Sequence, residues 1–162
     1  AKVTENGVEK TQRQLLLDRV NKITMKTSTP TAKSYAEVIA YLMGVSTNNT
    51  DLKSGWTYSH ATTKANDKYE SPASLTQTDA IKNCSGQGVY VLTDGEPNSN
   101  DGVNKLAKVA INKNTFSCTS SDDGWDCTEK MNAALVDPNL NGKGLKFKTA
   151  VVGFGNAFNN IA

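Results

Sequence analysis

The sequence predicts an α/β fold with a mostly parallel sheet. Within the strand predicted over 88–93, Val89, Tyr90, Val91 and Leu92 form a short, continuous apolar run, which is the pattern of a strand buried on both faces of a parallel sheet. Residues 145–154 change from alternating to continuously apolar, as a strand does on entering a core. Before and between these runs, apolar residues recur at the period of an α-helix, most clearly over 30–43. Strands that alternate with helices are typical of α/β domains.

The first predicted element is a helix over 8–24. Leu16, Val20 and Ile23 recur at helical spacing and form its apolar face. A stripe of this kind normally faces a hydrophobic core.

The second predicted element is a helix over 30–43. Its apolar positions follow the i, i+3, i+4, i+7 pattern. Thr29 is expected to be the N-cap, because threonine can accept a hydrogen bond from the first helical turn. Pro30 is expected to be the first helical residue, where its missing N–H does no harm.

A long polar segment over 44–86 interrupts the regular pattern. It is rich in Ser, Thr, Asn and Lys, and it carries Trp56, Tyr58 and Tyr69 without a helical or strand period. A loop of about 40 residues is uncommon in a compact domain, and it is usually functional or disordered. Aromatic rings among small polar residues suit the recognition of a protein or glycan surface. The alternative is an ordered but inert insertion.

An acidic loop follows the strand predicted over 88–93. In open α/β sheets, ligands bind outside the carboxyl ends of the strands, which is where Asp94 would lie. Glu96 could add a second carboxylate to the same loop. The alternative is an ordinary turn, because Asp-Gly and Glu-Pro are common turn dipeptides.

The last third of the chain predicts helices over 102–113 and 127–136, followed by the strand over 145–154. Asp101 is expected to cap the first of these helices. Two core strands cannot cover four helices, so part of the sheet is expected to be missing from this sequence.

The three cysteines favour an oxidising compartment. Cys118 and Cys127 flank a polar loop that side-chain packing would hold poorly, which favours a local disulfide. The alternative is a pair of buried free thiols in a cytosolic protein. Cys84 is left over, and His60 is the sole histidine. Without a Cys-x-x-Cys motif, neither a zinc site nor a cysteine–histidine nucleophile pair is expected.

The charge and hydropathy of the chain argue against two classes of partner. The 162 residues include 18 basic and 16 acidic side chains, for a net charge of +2, and no basic cluster stands out. Nucleic acid and anionic membrane surfaces are therefore not expected partners. No apolar run approaches the length of a membrane span, and no signal peptide is visible at the start.

The order of short motifs resembles the von Willebrand factor A domain, and more narrowly the PilC and PilY-type proteins of bacterial type IV pili. The motifs are TPTAKSYAE at 29–37, YESP at 69–72, Cys84, LTDGEPN at 92–98 and VVGFG at 151–155. The resemblance covers most of the chain. It implies a doubly wound, mostly parallel sheet with helices on both faces, present here as a partial domain over 1–162 with an insertion at about 44–86.

The same resemblance implies a divalent-cation site. In the von Willebrand factor A family the cation is held by an Asp-x-Ser-x-Ser loop, a threonine of a second loop and an aspartate of a third. Thr29 and Asp94 match the second and third contributions, and Glu96 is a further candidate contact. The implied ion is Mg²⁺, with Mn²⁺ or Ca²⁺ as alternatives, because hard cations prefer carboxylate and hydroxyl oxygens.

The sequence departs from that family in having no Asp-x-Ser-x-Ser motif. The motif and the first strand are therefore expected upstream of Ala1, and the chain is expected to bind metal weakly by itself. An upstream segment or a second copy would complete the sheet. Without such a segment or copy, an apolar surface is expected to be uncovered around Val89, Val91, Val151 and Phe154.

The function implied by the resemblance is a non-enzymatic adhesion module of a pilus tip or pilus biogenesis protein, secreted to the cell surface through the periplasm. Its implied partners are a host or surface protein or glycan, and minor pilins. Two alternatives stay open. One is an assembly scaffold that uses the same cation site. The other is a hydrolase in which Asp94 and Glu96 act as an acid/base pair, although no nucleophile or histidine partner is evident.

Overall fold

A computed structural model describes residues 2–5, 7–22, 28–75, 78–84, 86–93, 98–119 and 123–153. Helices and strands are mixed along the chain, which confirms the α/β class. The elements in chain order are β1 (Lys2–Glu5), β2 (Val8–Thr11), α1 (Gln12–Val20), α2 (Thr31–Met43), β3 (Lys64–Ala65), β4 (Lys68–Tyr69), α3 (Asp79–Cys84), β5 (Gln87–Thr93), α4 (Val103–Ile111), α5 (Gly124–Val136) and β6 (Phe147–Gly153). None of the described helices has the length and apolar character needed to span a bilayer.

The core lies between three helices and one face of a parallel strand pair. Strands β5 and β6 pair in parallel, with Val91 opposite Val151, and α4 and α5 lie in the connection between them. Helices α2, α4 and α5 pack against one another, α2 also contacts β5, and α5 contacts β6. Ile39, Leu106 and Phe147 are fully buried at this junction. The described residues form this strand pair and two small antiparallel hairpins rather than a doubly wound sheet.

The strand pair is covered on one face only within the described residues. Along β5, exposure alternates: Val89 and Thr93 are buried, whereas Tyr90 and Leu92 are more than 60% exposed. The expectation of a strand buried on both faces is therefore wrong for the described part of the chain. We call the uncovered surface formed by Tyr90, Leu92 and Val152 the open face. An uncovered apolar surface exists, but the prediction misplaced part of it, because Val89 and Val91 lie on the helix-covered face. Phe154 lies outside the described residues.

The amino-terminal segment is a hairpin followed by a shorter helix than predicted. Strands β1 and β2 pair antiparallel, with Glu5 opposite Val8, so a helix beginning at residue 8 is wrong. Thr11 starts α1 instead, because its hydroxyl accepts from the backbone N–H of Gln14 while the Gln14 side chain accepts from the N–H of Thr11. No residue of α1 is buried. The expected packing of Leu16 and Val20 is therefore absent, and Ile23 lies outside the described residues.

Helix α2 matches the predicted helix over 30–43 closely, but its first turn differs. Pro30 occupies the N-cap position, no side chain caps the helix, and the first helical residue is Thr31. The expectation that Thr29 is the N-cap is therefore wrong. Gly44 ends the helix in the left-handed conformation, at φ 70°, where a residue with a Cβ atom would be strained.

The polar segment over 44–86 is more ordered than the sequence indicates. It contains short 3-10 turns, the β3–β4 hairpin and helix α3. Asn66 and Asp67 both have positive φ values, as a tight hairpin turn between β3 and β4 requires. The interpretation of this segment as lacking helix or strand is wrong. Contacts with α2 hold this segment in place, and the spacing of apolar residues in the sequence does not reveal such contacts.

The caps of the two carboxyl-terminal helices also differ from expectation. Gly102, not Asp101, precedes α4, and Asp101 instead forms an ion pair with Lys53. The Lys53 ammonium group holds the pKa of Asp101 below its ordinary value. Helix α5 begins three residues before the predicted start, because Asp123 and Asp126 form a capping box at its amino terminus.

Cys118 and Cys127 are paired as a disulfide in the structure, with Cα atoms 5.6 Å apart. The bond joins the segment before α5 to the first turn of α5, and both residues are buried. Cys84 is an exposed free thiol at the end of α3.

We expect non-reducing peptide mapping of protein made in an oxidising compartment to recover Cys118 and Cys127 in one linked peptide. Replacing both by alanine should lower the free energy of unfolding by about 2 to 3 kcal/mol, because the bridge closes a loop of about ten residues in the unfolded chain. Recovery of both residues as free thiols would rule out the bridge.

Candidate functional site

Hydrogen bonds join the segment before α2 to the segment before α4, which follows β5 in the sequence. The backbone N–H of Thr29 donates to the Asn98 side-chain oxygen at 2.6 Å, and the N–H of Asn98 donates to the Thr29 carbonyl at 2.8 Å. Beside this pair, the Ser28 hydroxyl donates to the Ser99 hydroxyl at 2.7 Å. We call these residues the Thr29–Asn98 junction. It holds the threonine predicted as a cation ligand beside the segment that follows Asp94 in the sequence.

The hydroxyl of Thr29 makes no hydrogen bond with any residue that the structure describes, because Thr29 is held through its backbone. Asp94 and Glu96 lie outside the described residues. In the sequence they stand between Thr93, the last residue of β5, and Asn98 of the junction. Within the described ranges, no three His, Cys, Asp or Glu side chains gather as a metal-binding group would.

A third segment approaches the junction from α5. The Asn100 side chain lies against Gly124, the first residue of the helix, and a Cβ atom at Gly124 would come within 2.3 Å of it. Any larger residue here would therefore force the Asn100 side chain to move. The close contact fixes the start of α5 beside the segment that leads into α4.

A groove of about 660 Å³ extends from the junction along the exposed side of α2. Ser28 and Ser99 line one end of it, and Tyr58 and His60 of the polar segment line the other. We call it the α2 groove. Part of its floor is formed by Tyr41 of α2. The polar segment therefore builds a concave surface that continues directly from the predicted ligand loops.

A hydrogen-bond network around Glu37 holds the polar segment against α2. The carboxyl group of Glu37 accepts from the hydroxyls of Thr47 and Tyr69 and from the backbone N–H of Gly55, the last at 3.1 Å. Thr47 and Tyr69 are buried. Both oxygens of Glu37 are therefore directed into the protein, and the network fixes the wall of the groove.

Tyr69 links this network to an aromatic cluster. Its ring packs edge-on against Trp56, with ring centroids 4.8 Å apart, and against Tyr41 at 6.1 Å. Lys64 lies over the Trp56 ring, 4.6 Å from its centroid. Burial, together with the hydrogen bond that the Tyr69 hydroxyl donates to Glu37, raises the pKa of Tyr69 to about 12. The neutral phenol is therefore the form that the fold favours.

A second cavity of about 350 Å³ lies between α2, α5 and the covered face of the strand pair. Tyr35 and Thr149 meet there, with 2.7 Å between their hydroxyl oxygens, and burial raises the pKa of Tyr35. The side-chain oxygen of Asn132 is buried at this cavity without a hydrogen-bond partner. Val91 and Val151 line the cavity. Val91 is partly buried, whereas Val151 is 57% exposed, as the sequence predicts.

Comparison with known proteins adds no family to these observations: no family model, no curated protein and no solved structure matches the chain.

The sequence reasoning identified Thr29 but not the residues that hold it. In the sequence Asn98 ends the LTDGEPN motif and Glu37 ends the TPTAKSYAE motif, and neither motif indicates a contact with a distant segment. One signal could have pointed to Glu37: an acidic residue in the middle of an amphipathic helix whose neighbours Ala36 and Ile39 face the core. Trp56, Tyr58 and Tyr69 were identified as aromatic residues in a polar segment, and all three lie at or near the α2 groove.

Proposed function

We propose that the chain is a non-enzymatic binding module of a type IV pilus tip or pilus biogenesis protein, with a von Willebrand factor A-like arrangement. It would act at the cell surface after transit through the periplasm. Its partners would be a protein or glycan ligand and minor pilins. The proposal joins the motif resemblance to one structural observation, which is the Thr29–Asn98 junction.

The junction supports the proposal because the predicted second and third ligand loops are otherwise far apart in the sequence. Thr29 and Asn98 are 69 residues apart, yet two hydrogen bonds connect them. In the sequence Asn98 closely follows the carboxyl end of β5, and ligands of open parallel sheets bind outside the carboxyl ends of the strands. A binding surface at this edge is therefore the interpretation that best combines sequence and geometry.

The donor chemistry at the junction fits a hard cation. The Thr29 hydroxyl is not engaged by the described residues, and the carboxylate of Asp94 is the kind of ligand that Mg²⁺, Mn²⁺ and Ca²⁺ take. In this proposal Thr29 and Asp94 hold the ion, and Glu96 is an additional candidate. A bound cation would offer an open coordination position to a carboxylate of the partner. Ser28, Asn98 and Ser99 position the threonine.

The test is a calorimetric titration with Mg²⁺ and Mn²⁺ on protein extended to include an Asp-x-Ser-x-Ser loop. Asp94→Ala is expected to abolish binding, and Thr29→Ala to weaken it, because each change removes an oxygen ligand. Thr29→Ser keeps the hydroxyl and should bind nearly as the parent does. Glu70→Ala removes an exposed carboxylate elsewhere and serves as the matched control.

Unchanged affinity in the Asp94 variant would contradict the site. Turnover of a substrate that depends on both Asp94 and Glu96 would favour the hydrolase instead. Cation-dependent capture of other pilus subunits without surface adhesion would favour the assembly scaffold. Adhesion that needs the cation and shows no turnover is the result expected of the module.

A further inference from the structure

The α2 groove has the composition of a ligand site rather than of a packing defect. Tyr58 stands at its mouth with 91% of its surface exposed, an unusual state for a large aromatic residue. The 3-10 turn Trp56–Tyr58 that carries it is anchored, because the Gly55 N–H donates to Glu37 and the Lys64 ammonium donates to the Trp56 carbonyl at 2.5 Å. The ring is therefore held outward by an ordered framework.

The groove is also lined by hydroxyl groups that already use their protons. Ser54 donates to the Thr47 carbonyl, Ser59 to the Trp56 carbonyl and Thr63 to the His60 carbonyl, each at 2.7 Å. A hydroxyl oxygen that donates its proton inward keeps two lone pairs as acceptors. Ser54 uses one of them for the Trp56 N–H and Ser59 uses one for the Tyr69 hydroxyl, so at least one acceptor position stays free on each oxygen among the described residues. These three side chains therefore favour a ligand that brings hydrogen-bond donors of its own.

The charge of the lining is positive. Lys33 projects from α2 into the groove and forms no ion pair with any described residue, and Lys53 lies nearby in its pair with Asp101. Glu37 also lines the groove, but both its carboxyl oxygens accept hydrogen bonds from the polar segment. Lys33 is thus available to a ligand, whereas Lys53 is paired with Asp101 and the Glu37 carboxylate is engaged by the polar segment.

We propose that the α2 groove binds an anionic saccharide, with a sugar ring against Tyr58 and the carboxylate or sulfate group near Lys33. A saccharide combines an apolar ring face with many O–H donors, which matches the exposed aromatic ring and the acceptor hydroxyls. An acidic substituent would complete the match by pairing with Lys33. This proposal names the ligand class of the module described above and rests on that function, but no step of groove binding requires a cation.

An extended peptide fits the groove less well. Peptides that bind in extended form commonly add a strand to an open sheet edge. Among the described residues that line the groove, the one strand residue is Tyr69 of β4, whose backbone N–H already donates to the Val45 carbonyl, and no residue of β5 or β6 lines it. A peptide in the groove would therefore lack a ladder of backbone partners.

The experiment is a titration of the 162-residue chain in EDTA with three probes: 3′-sialyllactose, a heparin-derived tetrasaccharide and neutral lactose. NMR chemical-shift changes report binding. Both acidic probes share the proposed chemistry, and the one that binds more tightly shows whether a carboxylate or a sulfate group is preferred. We expect acidic saccharide to bind more tightly than lactose, and Tyr58→Ala and Lys33→Gln each to weaken it by about tenfold.

The controls use matched residues away from the groove. Tyr90→Ala removes another exposed tyrosine and Lys146→Gln another exposed lysine, and neither should change saccharide affinity. Circular dichroism on Tyr58→Ala should show an unchanged fold, because the ring is almost wholly exposed.

Equal binding of lactose and the acidic probes, or unchanged affinity in both groove variants, would overturn the proposal. Binding of an aspartate-rich peptide in the groove without binding of either acidic saccharide would overturn it in favour of a peptide ligand. The outcome is separable from that of the cation test. Loss of saccharide binding in Tyr58→Ala leaves metal binding through Asp94 unaffected, and Asp94→Ala leaves saccharide binding in EDTA unaffected.

Discussion

Replacing Glu37 by alanine is expected to lower the free energy of unfolding by about 3 kcal/mol or more. The change removes the acceptor of three hydrogen bonds. The Tyr69 hydroxyl keeps the Ser59 oxygen at 3.0 Å as an acceptor, whereas the Thr47 hydroxyl and the Gly55 N–H lose theirs. Each buried donor left unsatisfied costs about 1 to 3 kcal/mol. Urea denaturation followed by circular dichroism measures the loss. Glu129→Ala, which removes an exposed carboxylate from α5, is the matched control and should change stability little.

Ionisation of Tyr69 gives a second measure of the same network. Because the pKa of Tyr69 is raised from 10.0 to about 12 in the fold, its contribution to stability is present below pH 10 and is lost as the pH rises towards 12. In the Glu37→Gln variant Tyr69 stays buried, but its hydroxyl no longer donates to a carboxylate. The pKa of Tyr69 should therefore be lower than in the parent protein. Ultraviolet titration of tyrosinate at alkaline pH detects this. An unchanged titration together with unchanged stability would show that Glu37 does not hold the segment.

Periodicity predicted the elements that form the core and missed those held by local turns. The bounds of four elements were predicted to within about two residues: helices α2 and α4 and strands β5 and β6. Each has a face of apolar residues that packs into the core, and the spacing of those residues is visible in the sequence. The β1–β2 hairpin was missed although Asn-Gly between two short strands is a strong hairpin signal. The start of α5 was misplaced because its cap is an acidic pair rather than an apolar position.

The candidate site could be predicted only in part, because the contacts that form it join residues far apart in the sequence. Thr29 was identified from its motif, but its partner Asn98 lies 69 residues away and no local pattern joins them. The same holds for Glu37 and Tyr69, which are separated by 32 residues. Asp101 shows the reverse error. Its sequence position suggests a helix cap, but a lysine from the polar segment pairs with it instead.

The 162-residue chain by itself is expected to associate through its open face rather than to persist as a stable monomer. Parallel strands are normally covered on both faces, yet Tyr90, Leu92 and Val152 are 63%, 62% and 40% exposed, and β5 and β6 have no further strand partner among the described residues. An uncovered apolar face with unpaired edges favours pairing with another chain. A second copy, or a further strand of the same protein, would cover the open face and pair with the strand edges.

Size-exclusion chromatography with light scattering on the 162-residue chain measures this association. The double variant Tyr90→Thr with Leu92→Thr should shift the chain towards monomer, because threonine keeps strand propensity while removing most of the apolar surface. Val89→Thr is the matched control on the covered face, where Val89 is 7% exposed, and it should weaken the fold without reducing association. A parent chain that elutes as a monomer and unfolds in one cooperative thermal transition would contradict the prediction, since the open face would then tolerate water without a partner.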